Sequence, residues 1–126
     1  MKLYKTYGAS VPPVETIPAS SDLTYKVGEG LVITSNVAAK ATGTTAPTHI
    51  CVGPAKDGEV PVIKMSKDDI YVAALSAAGT SLNVGDKVTI DTDSIKLTAT
   101  TTSGVAEIVG FATAGKAAGD EVYFRI

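Results

Sequence analysis

The sequence predicts an all-β protein, a small barrel or sandwich of short strands led by an extended arm. Three observations lead there. Short runs of β-branched residues recur between turn signals rich in Gly and Asp, prolines crowd the first two dozen positions, and one turn-and-strand pattern occurs twice at fixed spacing. Turn–strand alternation of this kind is the pattern of small closed or two-layered β folds.

The arm comes first. The stretch Val11-Pro12-Pro13-Val14-Glu15-Thr16-Ile17-Pro18 carries three of the six prolines. Proline lacks an N–H and biases its predecessor toward extended geometry, which excludes a helix or a central strand. Yet Tyr4, Tyr7, Val11, Val14 and Ile17 make residues 1–24 too apolar for an idle linker. Two readings stay open: a strap packed on its own domain, or an arm mobile in the free protein that docks on a neighbour. In the second reading those five side chains are the anchors, with main-chain pairing to an exposed sheet edge supplying affinity.

Residues 25–126 read as a single β-domain with an internal repeat over about 27–65 and 84–126. Val27-Gly28-Glu29-Gly30-Leu31-Val32-Ile33 matches Val84-Gly85-Asp86-Lys87-Val88-Thr89-Ile90 at an offset of 57, from Gly28 to Gly85. The same offset carries Thr44-Thr45 onto Thr101-Thr102, and Val52-Gly53 onto Val109-Gly110. After a four-residue insertion, Gly58-Glu59-Val60-Pro61-Val62-Ile63 matches Gly119-Asp120-Glu121-Val122-Tyr123-Phe124. Gly followed by a carboxylate makes a tight turn, and the β-branched residues beyond it suit a strand. The expected core is Val32, Cys51, Val62, Val88, Ile90, Ile108, Val109 and Val122. Between the copies, residues 60–75 read as a hairpin turning at Ser66 to Asp69, because Ile70-Tyr71-Val72 favours a strand over a capped helix.

Composition narrows the function. Hydrophobic residues make up 44%, enough for a packed core. Eleven basic against 13 acidic residues give a net charge of −2, and Arg125 is the only arginine. No basic cluster is present to neutralise phosphates, so no nucleic-acid partner is expected. A lone cysteine, Cys51, rules out an intrachain disulfide. The start lacks the apolar stretch of a signal peptide, and no run approaches a membrane span. Synthesis in a cytoplasm, without membrane contact, is the expectation.

Candidate chemistry is sparse. His49 and Cys51 share a strand face at i, i+2, which admits a Cys–His dyad. The repeat sets Cys51 opposite Ile108, however, where a small core hydrophobe belongs. Two ligands fall short of a zinc site, and Asp86 with Asp91-Thr92-Asp93 lacks the calcium-loop spacing. Asp68-Asp69 reads likewise as a turn. Gly110 to Gly115 with Lys116 has the glycine spacing of a nucleotide loop, but Ala117 stands where Ser or Thr should be and no helix follows. No catalytic residue, metal or cofactor is therefore expected, and the protein reads as a non-enzyme.

The second copy carries a resemblance. Gly79-Thr80-Ser81-Leu82-Asn83-Val84-Gly85-Asp86-Lys87-Val88-Thr89-Ile90-Asp91, Val105-Ala106-Glu107-Ile108-Val109-Gly110-Phe111-Ala112 and Ala117-Ala118-Gly119-Asp120-Glu121-Val122-Tyr123-Phe124 resemble the small capsid-decoration proteins of tailed bacteriophages. A similar echo of the lambda-type head decoration protein runs from Thr44-Thr45 through Val52-Gly53. The resemblance spans about residues 25–126 and rests on turn-and-strand punctuation. It implies a compact β-barrel or β-tulip that sits as a homotrimer on the outer capsid surface, bound to the major capsid protein through its N-terminal arm. It offers no catalytic residues. The alternative is a carbohydrate- or surface-binding β-module of an adhesin or tail fibre, against which the absence of Trp weighs.

Overall fold

Alternation of inward and outward side chains, with Gly and Asp at the breaks, resolves into eleven short strands among the described residues. The computed structural model describes residues 1–6, 11–100, 103–114 and 116–126. In chain order the strands are β1 (Lys2–Lys5), β2 (Val14–Pro18), β3 (Gly30–Thr34), β4 (Val37–Lys40), β5 (His49–Cys51) and β6 (Glu59–Lys64). Then follow β7 (Ile70–Ala74), β8 (Lys87–Ile90), β9 (Leu97–Thr100), β10 (Ala106–Phe111) and β11 (Glu121–Arg125). No helix occurs among the described residues, so the fold is all-β. The strands form two antiparallel sheets, ordered β1-β7-β11-β10-β8-β9 and β2-β6-β5-β3-β4.

Without β1 the two sheets have the same strand order, and their registers agree pair by pair. Glu15↔Val62, Thr16↔Pro61 and Ile17↔Val60 on β2 and β6 correspond to Tyr71↔Phe124, Val72↔Tyr123 and Ala73↔Val122 on β7 and β11. Cys51↔Val62 corresponds to Ile108↔Phe124, and Leu31↔His49 to Val88↔Ala106. A parallel bridge joins the ends of each five-strand set, Ala19↔Ala38 in one and Leu75↔Leu97 in the other. Each unit thus curls its first strand toward its third.

Two sequence alignments shift accordingly. The first unit begins at β2, inside the proline-rich stretch, because Val14 to Thr16 take the places of Ile70 to Val72. In the last block Val60 corresponds to Val122, not to Glu121. The reason is physical: a one-residue slip would turn Val60 and Val62 out of the core. Residues 60–75 are likewise not a hairpin. A turn does lie at Ser66–Asp69, with Asp69 N–H donating to Ser66 O at 3.3 Å, but β6 and β7 belong to different sheets. The segment is the crossover between units.

The glycine turns are built alike. Lys26 N–H donates to Glu29 Oε2 at 3.0 Å, and Asn83 N–H to Asp86 Oδ2 at 2.8 Å. Gly28 N–H meets Cys51 O and Gly85 N–H meets Ile108 O, both at 2.8 Å. Both glycines have φ near +90°, where a Cβ is strained. Gly53 and Gly110 also have matching neighbours. An added Cβ would lie 3.0 Å from Pro61 at one and 3.3 Å from Tyr123 at the other, and these two residues are register equivalents.

One apolar core gathers Tyr71, Leu75, Leu82, Val88, Ile90, Leu97, Ile108, Val122 and Phe124, together with Ile50 from the other sheet. A smaller one holds Ile17, Tyr25, Leu31, Ala38, Cys51, Val60 and Val62. Main-chain bonds tie the units: Gly43 and Ile90 exchange both N–H···O bonds, and Gly30 N–H donates to Ser94 O. The Met1 amine donates to Gly28 O at 2.6 Å and Ile95 O at 3.1 Å, and burial holds it at about 6, below its ordinary value. Six of the eight expected core residues are buried. Val32 and Val109 are only half-buried, because alternation turns their neighbours Leu31 and Ile108 inward.

Two stability measurements check this fold. Ile108→Ala should lose about 2–5 kcal/mol in denaturant titration, and Val109→Ala well under half of that. Gly85→Ala should cost about 1–2 kcal/mol of left-handed strain. Gly28→Ala should melt lower still, because its Cβ would also meet Met1 N and O at 3.1 and 3.2 Å.

Candidate docking edge

The matched registers expose a mismatch at one edge. In antiparallel pairing, successive residues point their N–H and C=O to opposite sides. Ala19 N–H donates to Gly58 O at 2.9 Å, so the odd-numbered residues of β2 face β6. Val52 N–H takes Pro61 O at 3.0 Å, which places Thr16↔Pro61 at a pair not bonded to each other. Val14 and Thr16 therefore aim their N–H and C=O outward. Among the described residues no strand pairs with them there. On β7 the same positions are covered by β1, at Lys2↔Val72, Leu3↔Tyr71 and Lys5↔Ile70.

Exposure records the difference. Val14 is 64% exposed and Glu15 and Thr16 are exposed, whereas Tyr71 and Val72 are 0% and 3%. The bare edge is short. Pro12, Pro13 and Pro18 offer no N–H, so it presents donors at Val14 and Thr16 between proline ends. Two carboxylates flank it. Glu59 Oε2 accepts from Thr16 Oγ1 at 3.1 Å, and Glu15 Oε1 lies 3.4 Å from His49 Nε2. At its start opens a cleft of about 400 Å³ between Pro12, Pro13 and Glu15 on one side and Lys64, Met65 and Asp69 on the other.

The five arm residues separate. Val11 and Val14 are exposed, Val14 on the bare edge itself. Tyr4 lies on β1 with its ring 4.3 Å from that of Tyr123, tilted by 32°. Ile17 is buried in the smaller core and is not available as an anchor, because on β2 it faces inward with Val60 and Val62. Tyr7 lies outside the described residues. An arm ordered only by a neighbour is thus corrected: residues 2–5 and 14–18 are strands of this chain's own sheets. Thr16 and Glu59 were missed by sequence reasoning. No motif marks them, since only the pairing of β2 shows which N–H groups are spare.

The candidate chemical groups are engaged elsewhere. Cys51 Sγ–H donates to Gly53 O at 2.9 Å, and burial pushes the thiol up, away from thiolate. His49 Nδ1 is 2.8 Å from Thr48 Oγ1, so histidine and cysteine hold separate partners rather than a dyad. Burial raises Asp93, but the N–H groups of Lys96 and Ile95 outweigh it and hold the carboxyl below its usual range. Lys116 donates to the Leu82 carbonyl and sits 4.4 Å from the Phe111 ring centroid. Among the described residues no group of three or more His, Cys, Asp or Glu is placed to hold a metal ion.

The far end of β2 is finished by a side chain. Ser20 N–H donates to Tyr25 Oη at 2.8 Å, and Tyr25 O–H donates to Ala38 O at 2.8 Å. In the second unit the equivalent Ser76 N–H reaches Leu97 O directly, at 2.8 Å. The phenol stands in for one missing contact. No family model and no curated protein matches the chain.

Tyr25→Phe should leave the Ser20 N–H and the Ala38 carbonyl unpaired, at about 1–3 kcal/mol in denaturant titration. Faster amide exchange should concentrate at Ser20.

Proposed function

We propose that the protein is a non-catalytic structural module that docks on a larger assembly through the β2 edge. In its specific form it is a decoration protein on the outer surface of a phage head. There it binds the major capsid protein as a homotrimer and stabilises the lattice. The observation that carries this reading is the bare edge at Val14–Thr16, set against its covered equivalent on β7. The turn-and-strand resemblance over residues 25–126 supplies the specific assembly.

The energetics fit a multivalent binder. An edge with two outward donors makes few main-chain bonds, and each is worth about 0.5–1.5 kcal/mol net. A single edge is therefore weak. Three edges on a trimer act at high effective concentration, with a gain in avidity of roughly 10²–10⁴. Exposed Val11 and Val14 and the neighbouring cleft add apolar area to the same surface. The chemistry of a scaffold is enough for this role.

The test is cosedimentation with heads of the encoding phage stripped of this protein, alongside sedimentation of the free protein. The expected result is a trimer that pellets with the heads and raises the temperature at which they open. A protein that stays in the supernatant at every head concentration overturns the reading. Point variants at the edge suit this experiment better than deletion of residues 1–24. That deletion removes β1 from one sheet and β2 from the other and should unfold the chain.

A further inference from the structure

We infer that the β2 edge takes a short basic segment with an aromatic side chain, extended and supplied by another polypeptide, for which this chain's own β1 on β7 is the template. This rests on the docking reading above and names the partner's chemistry.

The argument starts from register. Val14, Glu15 and Thr16 are the counterparts of Ile70, Tyr71 and Val72, the three residues that β1 covers. A strand on β2 in the same register meets the N–H and C=O of Val14 and Thr16. Pro12, Pro13 and Pro18 end the ladder on both sides, so the segment is about as short as the four residues of β1.

Side chains follow from the same correspondence. Tyr4 of β1 rests on Tyr123, whose equivalent is Pro61. Pro61 is half-buried and offers a flat apolar ring, a surface on which an aromatic side chain stacks. Leu3 of β1 faces Tyr71 and packs on the larger core. Its position on β2 meets Glu15 instead, with Glu59 beside Thr16. Glu15 favours Lys or Arg in place of leucine, and Glu59, on the opposite face with Thr16, favours a basic residue at the position of Lys2, since opposite charges across strands stabilise pairing. The same carboxylates disfavour a second copy. Pairing β2 with β2 through Thr16 would bring both Glu59 side chains to one centre, and like charges there are destabilising.

The probe is a synthetic peptide of residues 1–6 carrying Leu3→Lys, titrated into the ¹⁵N-labelled full chain and followed by amide shifts. The expected result is saturable shifts at Val14–Thr16. Affinity should fall at least tenfold when all three lysines of the peptide become glutamate. Thr16→Pro removes one outward N–H that the fold does not use and should abolish binding with an unchanged melt. Glu15→Gln leaves the backbone untouched and should weaken binding severalfold, so the inference stays testable if Thr16→Pro fails to fold. Shifts confined to β7, equal binding of the charge-reversed peptide, or a dimer that Thr16→Pro dissociates would each overturn it. Head binding retained in both edge variants would overturn it too, and with it docking through β2, leaving only head binding by another surface. Peptide binding at β2 in a protein that ignores heads would uphold the edge chemistry and remove only the head reading.

Discussion

A strand at the edge of a sheet leaves a row of N–H and C=O groups that need partners or water. That requirement shapes this protein more than any single contact does, because two curled five-strand units each have such a row to finish. The second unit covers the start of its row with β1 and ends it by a direct bond from Ser76 to Leu97. The first unit ends its row through the hydroxyl of Tyr25, placed where a bridging water would sit. Among the described residues its start stays open, between prolines that remove donors on either side. Four finishes to one problem account for most of what distinguishes the two halves.

The turns show the opposite, a shared solution kept in both units. A glycine at positive φ lets its N–H reach across to the next strand, while the following carboxylate closes the turn. The first unit adds a buried charge to this device. Glu29 accepts the Lys26 N–H and pairs with Lys40 Nζ at 2.8 Å, which compensates the desolvation of a carboxylate that is only 2% exposed. Between the units the exchange of bonds at Gly43 and Ile90, and the joint core reached by Ile50, make one body of two similar parts.

A binding role for the open edge is consistent with how the rest of the chain is engaged. The histidine, the cysteine and Lys116 each have local partners that account for their placement. Among the described residues, no strand pairs with the outward main-chain groups of Val14 and Thr16, beside exposed valines and two carboxylates. Such a surface recognises an extended chain by its backbone first and by alternate side chains second.

The sequence by itself determined the all-β class, because its short β-branched runs and Gly-Asp breaks permit little else. It also determined the turn pairs at Gly28 and Gly85 and the burial of Cys51, Val62, Val88, Ile90, Ile108 and Val122, since local turn chemistry and period-two alternation are written in neighbouring residues. It did not reveal that Val14–Pro18 opens the first unit. Its prolines and polar residues hide the likeness to Ile70–Ala74, and only cross-strand pairing restores it. Nor did it show that Ser66–Asp69 joins two sheets rather than two paired strands, because a turn looks the same locally in either case. The bare edge was beyond sequence altogether. Which N–H groups of a strand point to a neighbour and which to solvent is decided by strand order and register, and those are set by contacts between residues far apart in the chain.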